Sequence, residues 1–320
     1  MYRFIAILVV LFVFGLPGPV LAQESTEGTI SGKVINGTEG GGSAAGIEVT
    51  LLTYINDLIA ETRTAKTDGE GNFQFDNVAV EHQYLLSARY MEVDYYYTLV
   101  FNPGETTAYA EVGVCETTTS DQAIRIGLAH TIMNIEEESI RFTEVLWLVN
   151  GGDRTYTGGD GVLVFALPEG ATGFEFLQES REDYRFLDDN RVTYLVPFPP
   201  GQRQLVYSYQ LAKPDSDEFT IPLEFYYPLD SFELMVGGED VEVTVTQLAP
   251  AEPIFTATNE RFIHFQGGNL PRNTVINLHL SNLSGGSGLH FIILWGIIAM
   301  AIIGIAVYLV KRGKKGNTGE

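Results

Sequence analysis

Apolar and polar residues alternate at period two in several short stretches of this chain, and that pattern narrows the available folds more than any other feature of the sequence. Val241, Val243 and Val245 alternate with Glu242, Thr244 and Thr246. Leu205, Tyr207, Tyr209 and Leu211 alternate with Val206, Ser208 and Gln210, and Ile276, Leu278 and Leu280 with Asn277 and His279. Successive side chains of a strand point to opposite faces, so each stretch predicts a strand with one face buried. Turn clusters punctuate the pattern, among them Gly151-Gly152-Asp153, Gly158-Gly159-Asp160-Gly161 and Pro199-Pro200-Gly201. With no long stretch of helical period between them, the expectation is an all-β exterior of antiparallel sandwiches.

Composition adds exclusions. At 45% hydrophobic and 19% charged, the 320-residue chain is too apolar for a disordered polymer. Its 19 Lys+Arg against 41 Asp+Glu give a net charge of -22, which repels phosphate backbones and excludes nucleic acid as a partner. The single cysteine, Cys115, allows neither an internal disulfide nor a cysteine-based zinc site. It reads as a small buried or junction residue, or as a thiol that bridges two copies.

Both ends carry membrane signals. Arg3, the apolar run Phe4 to Leu16, the Pro17-Gly18-Pro19 break and Val20-Leu21-Ala22 have the organisation of a secretory signal peptide over 1–22, cleaved after Ala22. Phe291 to Val310 is an uncharged run of 20 residues, and a helix of that length spans about 30 Å, the hydrocarbon thickness of a bilayer. Trp295 and Tyr308 sit near the two ends of the run, and Lys311, Arg312, Lys314 and Lys315 follow it. That basic flank predicts a cytoplasmic tail over 311–320 and a single-pass, type I topology, with a Ser/Gly linker over 284–290 outside. Setting aside Arg3, the four tail cations and Glu320 leaves 40 acids and 14 bases outside, a net charge of about -26.

The first exterior unit opens with Gly28-Thr29-Ile30-Ser31-Gly32-Lys33-Val34, and Gly46-Ile47-Glu48-Val49-Thr50-Leu51 follows a glycine-rich loop. Thr67-Asp68-Gly69-Glu70-Gly71-Asn72-Phe73-Gln74-Phe75 then leads to Val78 and Tyr84. Over residues 27 to 110 this resembles the carboxypeptidase regulatory-like domain, a transthyretin-like seven-stranded sandwich. The resemblance implies a spacer or binding unit without catalysis of its own, and places the first domain at 27–115. At the corner where many members have a Pro-Gly pair, this chain has Glu81-His82.

Residues 115–129, polar over Glu116 to Asp121, read as a junction, and 130–283 as a second, larger sandwich or two smaller ones. Arg141 to Val149 is expected as a strand, Val162 to Leu167 as its partner, and Ala249-Pro250-Ala251-Glu252-Pro253 as a long loop or a linker. No named family is identified for this unit.

Motifs of catalysis are missing. His82, His130, His264, His279 and His290 are widely separated and form no two-ligand helix motif, and no Gly-x-Ser-x-Gly elbow occurs. The glycine-rich stretch 40–46 lacks the Gly-Lys-Ser/Thr ending of a phosphate loop. Asp68-Gly69-Glu70-Gly71-Asn72 imitates the start of an EF-hand, but its twelfth position is Ala79, so a solvated hairpin turn is the expectation. Asp153 and Asp160 meet a cation only if their loop folds back, while Glu136-Glu137-Glu138 and Asp188-Asp189 read as solvated charge runs. Tyr95-Tyr96-Tyr97 and Phe225-Tyr226-Tyr227 offer ring faces, and Tyr96 and Tyr226 are the candidate ligand contacts.

The resulting expectation is a non-catalytic, membrane-anchored surface protein without cofactor or metal. It holds the lipid bilayer through one helix and displays a docking or spacing surface to a protein partner or membrane complex. A carbohydrate-binding module using the tyrosines is the alternative, and a hydrolase assembled from dispersed acids of the second unit is a remote one. Protease added to intact cells is expected to degrade the exterior while a reporter fused after Glu320 stays protected inside. An exported reporter with an intact head would reverse the topology.

Overall fold

The computed structural model describes residues 26–159, 161–188, 190–238, 241–257 and 259–283. Residues 1–25 and 284–320 lie outside that range, and with them the proposed signal peptide, the linker, the apolar run 291–310 and the basic tail. Among the described residues the chain is all-β, with one 3-10 turn at Arg181–Asp183 and no helix long and apolar enough to cross a membrane. It divides into two compact units, the first comprising residues up to 34, 44–88 and 95–112, and the second 35–43, 89–94 and 113 onward.

Seven strands run through the N-terminal region: β1 (Glu27–Asn36), β2 (Glu48–Ile55), β3 (Leu58–Lys66), β4 (Asn72–Ala79), β5 (Gln83–Tyr90), β6 (Val93–Val100) and β7 (Thr107–Val114). They form a three-stranded sheet β4-β1-β7 and a four-stranded sheet β3-β2-β5-β6. Alternation buries Ile30 and Val34 on β1, Val49 and Leu51 on β2, Phe73 and Phe75 on β4, and Tyr84 and Leu86 on β5. Gly32 is required where β1 passes its neighbours, since a Cβ there would lie 2.3 Å from the Ala110 carbonyl oxygen and 2.4 Å from the Phe73 ring.

The loop after Thr67 corrects one expectation. It joins β3 to β4, which belong to different sheets, so it is an arch between sheets and not a hairpin turn. Asp68 organises it: its carboxylate accepts the backbone N–H groups of Glu70 (2.9 Å) and Asn72 (2.8 Å) and the Asn72 side-chain amide (3.0 Å). These donors, the Asn72 side chain foremost, hold the Asp68 carboxyl below its usual range. Gly71 supplies the positive φ of +88° that closes the arch. Asp68 thus spends its oxygens on its own loop.

The second unit contains β8 (Thr117–Thr118), β9 (Ile124–Ile135), β10 (Ser139–Asn150), β11 (Thr155–Tyr156), β12 (Leu163–Ala166), β13 (Thr172–Phe176), β14 (Tyr184–Asp188) and β15 (Arg191–Tyr194). It continues with β16 (Gly201–Ala212), β17 (Phe219–Phe225), β18 (Leu229–Gly237), β19 (Glu242–Val245), β20 (Ala249–Phe255), β21 (Arg261–Leu270) and β22 (Thr274–Ser281). A seven-stranded sheet β13-β16-β10-β9-β18-β21-β20 is accompanied by two three-stranded sheets, β12-β15-β14 and β17-β22-β19. One apolar cluster takes residues from all three, including Phe142, Leu146, Phe165, Phe232, Leu234 and Leu278.

Several sequence expectations are overturned here. The strand Arg141–Val149 pairs with β9 and β16, both 12 residues long like β10 itself, while β12 pairs with β15. The stretch read as a junction holds β8 and the start of β9, with Ile124 and Ile126 buried. The segment 249–253 is neither loop nor linker but part of β20, at the sheet edge, where prolines cost no ladder hydrogen bond and Ile254 packs onto Ile132, Met235 and Phe262. On β16, Val206 and Ser208 are buried as well as Leu205, Tyr207 and Tyr209, so its middle has two covered faces rather than one.

Among the described residues, a carboxylate, Glu144, lies in the main core. Glu144 is 3% exposed and accepts hydrogen bonds from Thr131 Oγ1 (2.6 Å) and Tyr209 Oη (3.2 Å). Burial without a cation raises its pKa to about 7, the two hydroxyl donors offsetting part of the rise, and burial beside it pushes Tyr207 and Tyr209 upward too. Folding therefore takes up a proton between the ordinary glutamate value near 4.5 and pH 7: the native state loses stability as pH rises through that window and no further above it. Glu144→Gln keeps the neutral shape and removes the titration. In urea unfolding of the full chain it should gain up to about 3 kcal/mol over the parent between pH 5 and pH 8. An identical change for both proteins would show that Glu144 is ionised in the core.

Candidate functional site

A groove forms where the two three-stranded sheets of the second unit end. Strand β12 closes one and β17 the other, and no ladder joins the two strands. Pro222, mid-strand in β17, removes one donor from that edge. It pairs with Asn277 of β22, so its nitrogen must face away from β22, toward the open edge, where it cannot donate. A polar link adjoins this edge: the Val164 N–H donates to Tyr227 Oη at 3.1 Å. Tyr227 is buried, and its phenol titrates well above the usual range, chiefly through that burial.

The open groove has a volume of about 1270 Å³. Phe186 and Leu187 of β14 and Val275 of β22 line it while remaining 46%, 37% and 39% exposed. Phe186 is held from behind by Phe174, edge-on at 5.8 Å, and by the Arg181 guanidinium 6.0 Å from its ring. Tyr226 lines the groove between its buried neighbours Phe225 and Tyr227. Partial burial, then Glu224, raises its pKa, while Arg191 opposes them. Arg191 is tied to Asp188 at 2.6 Å, so Glu169 and Glu224 leave the groove acidic on balance.

The second candidate contact, Tyr96, belongs to the first unit and is 64% exposed on β6, between buried Tyr95 and half-exposed Tyr97. Trp295, Tyr308, Lys311, Arg312, Lys314 and Lys315 lie outside the described residues, as do Asp160, Asp189 and His290. Asp153 accepts the Glu39 N–H at 2.9 Å. Glu136, read as a solvated charge, binds Arg141 at 3.0 Å. Cys115 is partly buried, which raises its thiol pKa.

Sequence reasoning missed one constellation. Strands β9, β18 and β21 are neighbours, and they bring His130 Nε2 and His264 Nε2 each to 3.6 Å from the same Glu233 oxygen. His264 Nδ1 faces the Glu252 carbonyl at 3.2 Å, and Trp147 meets the His130 ring edge-on at 5.4 Å. Burial lowers the His130 pKa, Glu233 pulling it up and His264 adding to the fall, so His130 is neutral at pH 7. Among the described residues, no group of three His, Cys, Asp or Glu is arranged to hold a metal ion.

No family model and no curated protein matches the chain. Among solved structures, it is similar to a mutant two-domain M1 zinc metallopeptidase with bound L-tryptophan, at 8% identity and a TM-score of 0.31. The match covers 50% of this chain and 43% of that one, so the chain spans less than half the length of that protein. A likeness of this degree carries no argument about activity.

The Tyr227 link is testable. Tyr227→Phe leaves the Val164 N–H without its acceptor and should destabilise the full chain by about 1–3 kcal/mol in urea unfolding. An unchanged midpoint would mean that the bond contributes nothing to the stability of the second unit.

Proposed function

We propose that this chain is a non-catalytic, single-pass surface protein that binds a protein partner in the groove between β12 and β17. The carrying observation is that Phe186, Leu187 and Val275 line this groove yet stay exposed beside Tyr226, on a surface that is otherwise strongly acidic. Exposed apolar groups gathered in one concavity gain free energy when a partner covers them. Glu169 and Glu224 favour a partner segment that carries cationic as well as apolar side chains.

The setting of this groove follows the sequence. Residues 1–22 direct export, 291–310 cross the membrane, and the basic tail stays in the cytoplasm. The first unit is a transthyretin-like sandwich of the carboxypeptidase regulatory-like kind, supported by its seven strands in sheets of three and four, and serves as a spacer. The second is one larger sandwich, supported by the apolar cluster that its three sheets share. Carbohydrate binding is the second reading, favoured by the Tyr226 ring lying among Glu224, Asp188 and Arg191, an aromatic platform with hydrogen-bonding neighbours.

Immobilised full chain and its Phe186→Ser/Tyr226→Ala variant, probed with an array of extended basic-apolar peptides and with a glycan array, separate these readings. The expected result is peptide binding by the parent, weakened at least tenfold in the variant, with no glycan retained. Glycan binding lost with Tyr226 would favour the second reading, and equal peptide binding by both proteins would remove the groove from the account.

A further inference from the structure

The edges of the first unit's sheets are guarded unequally. Strand β3 carries Glu61, Arg63 and Lys66 and a register shift against β2. Strand β4 carries Asp76 and the positive-φ residue Asn77, and β7 carries Glu111. Charges and irregularities of this kind keep a sheet edge from adding further strands. Strand β6 carries one charge, Asp94 at its second residue, and from Tyr95 through Gly104 the chain contains none. Yet β6 ends the order of its sheet, and Tyr96, Thr98 and Val100 all point outward on one exposed face, Tyr96 and Val100 being 64% and 56% exposed.

We infer that β6 pairs with β6 of a second copy of this chain, antiparallel about a twofold axis, to join the two four-stranded sheets edge to edge. A twofold contact brings the same surface from both copies together, so it must be self-complementary. The uncharged stretch Tyr95 to Val100 meets that condition in a protein of net charge -22, whose acidic surfaces repel a like-charged copy. The acids at the start of β6 share one counter-ion, since Arg89 binds Glu92 at 2.8 Å and Asp94 at 3.0 Å. Across the new ladder, Tyr96, Thr98 and Val100 of the two copies become cross-strand neighbours, the aromatic and β-branched pairs that stabilise sheets. Beside the strand, a hollow of about 510 Å³ lined by Tyr97, Val100 and Tyr109 leaves room for the partner's rings.

Sedimentation velocity of the full chain in detergent over a hundredfold concentration range tests this. The parent should pass from monomer to dimer, and Tyr96→Lys/Val100→Lys, which sets two like charges against two, should shift the midpoint to at least tenfold higher concentration. Thr62→Lys on β3 should leave it unmoved. A parent that stays monomeric, or a double variant that dimerises like the parent, overturns the inference. Hydrogen exchange on the parent alone covers a variant that fails to fold: β6 amides should exchange more slowly at the high concentration than at the low, with β3 unaffected, and equal rates for β6 at both would contradict the pairing.

Discussion

A proline in mid-strand leaves a gap in any hydrogen-bond ladder, and Pro222 places that gap on the outer side of β17. The second unit must cover a seven-stranded sheet, and two separate three-stranded sheets do so instead of one wide one. Apolar packing carries the join between them, helped by the Tyr227 hydroxyl on the Val164 amide. The concavity lies at that seam, with Pro222 in its lining. Phe186 and Leu187 stay exposed on β14, an outer strand of its three-stranded sheet.

The same economy of partners governs the buried polar groups. Glu144 has two hydroxyl donors and no cation, so its environment favours the protonated form. His130 has a carboxylate near it, but burial and a second histidine win, and it stays neutral. Both residues lie on the long central strands β9 and β10, one on each side of the seven-stranded sheet, where desolvation exceeds any nearby compensation.

Local periodicity made much of the strand content legible. Val243 and Val245 of β19 and Ile276, Leu278 and Leu280 of β22 point inward as their alternation requires, whereas the Asp68 loop, expected as a hairpin turn, joins two sheets. What periodicity cannot carry is pairing, because register is set by contacts distant in the chain. Thus β12 was assigned to the wrong neighbour, and β9 and β18, which run parallel, gave no local sign of their contact. His130, Glu233 and His264 meet only through that crossover. Glu144 did leave a signal, a lone acid between Phe142 and Leu146 in an otherwise apolar run, and Pro222 marked an edge strand. Tyr226 was identifiable as a candidate by its aromatic neighbours, whereas Phe186 and Leu187, hidden in an acidic stretch, were not.

Amide exchange along β17 reaches the unladdered seam most directly. The chain direction that turns the Pro222 nitrogen outward also turns the Thr220 and Glu224 amides outward, while Ile221 and Leu223 donate toward β22. Thr220 and Glu224 should therefore exchange rapidly, with Ile221 and Leu223 protected to near the global unfolding limit. Equal strong protection at all four positions would mean that another strand is bonded along this edge, and the groove would not exist as described.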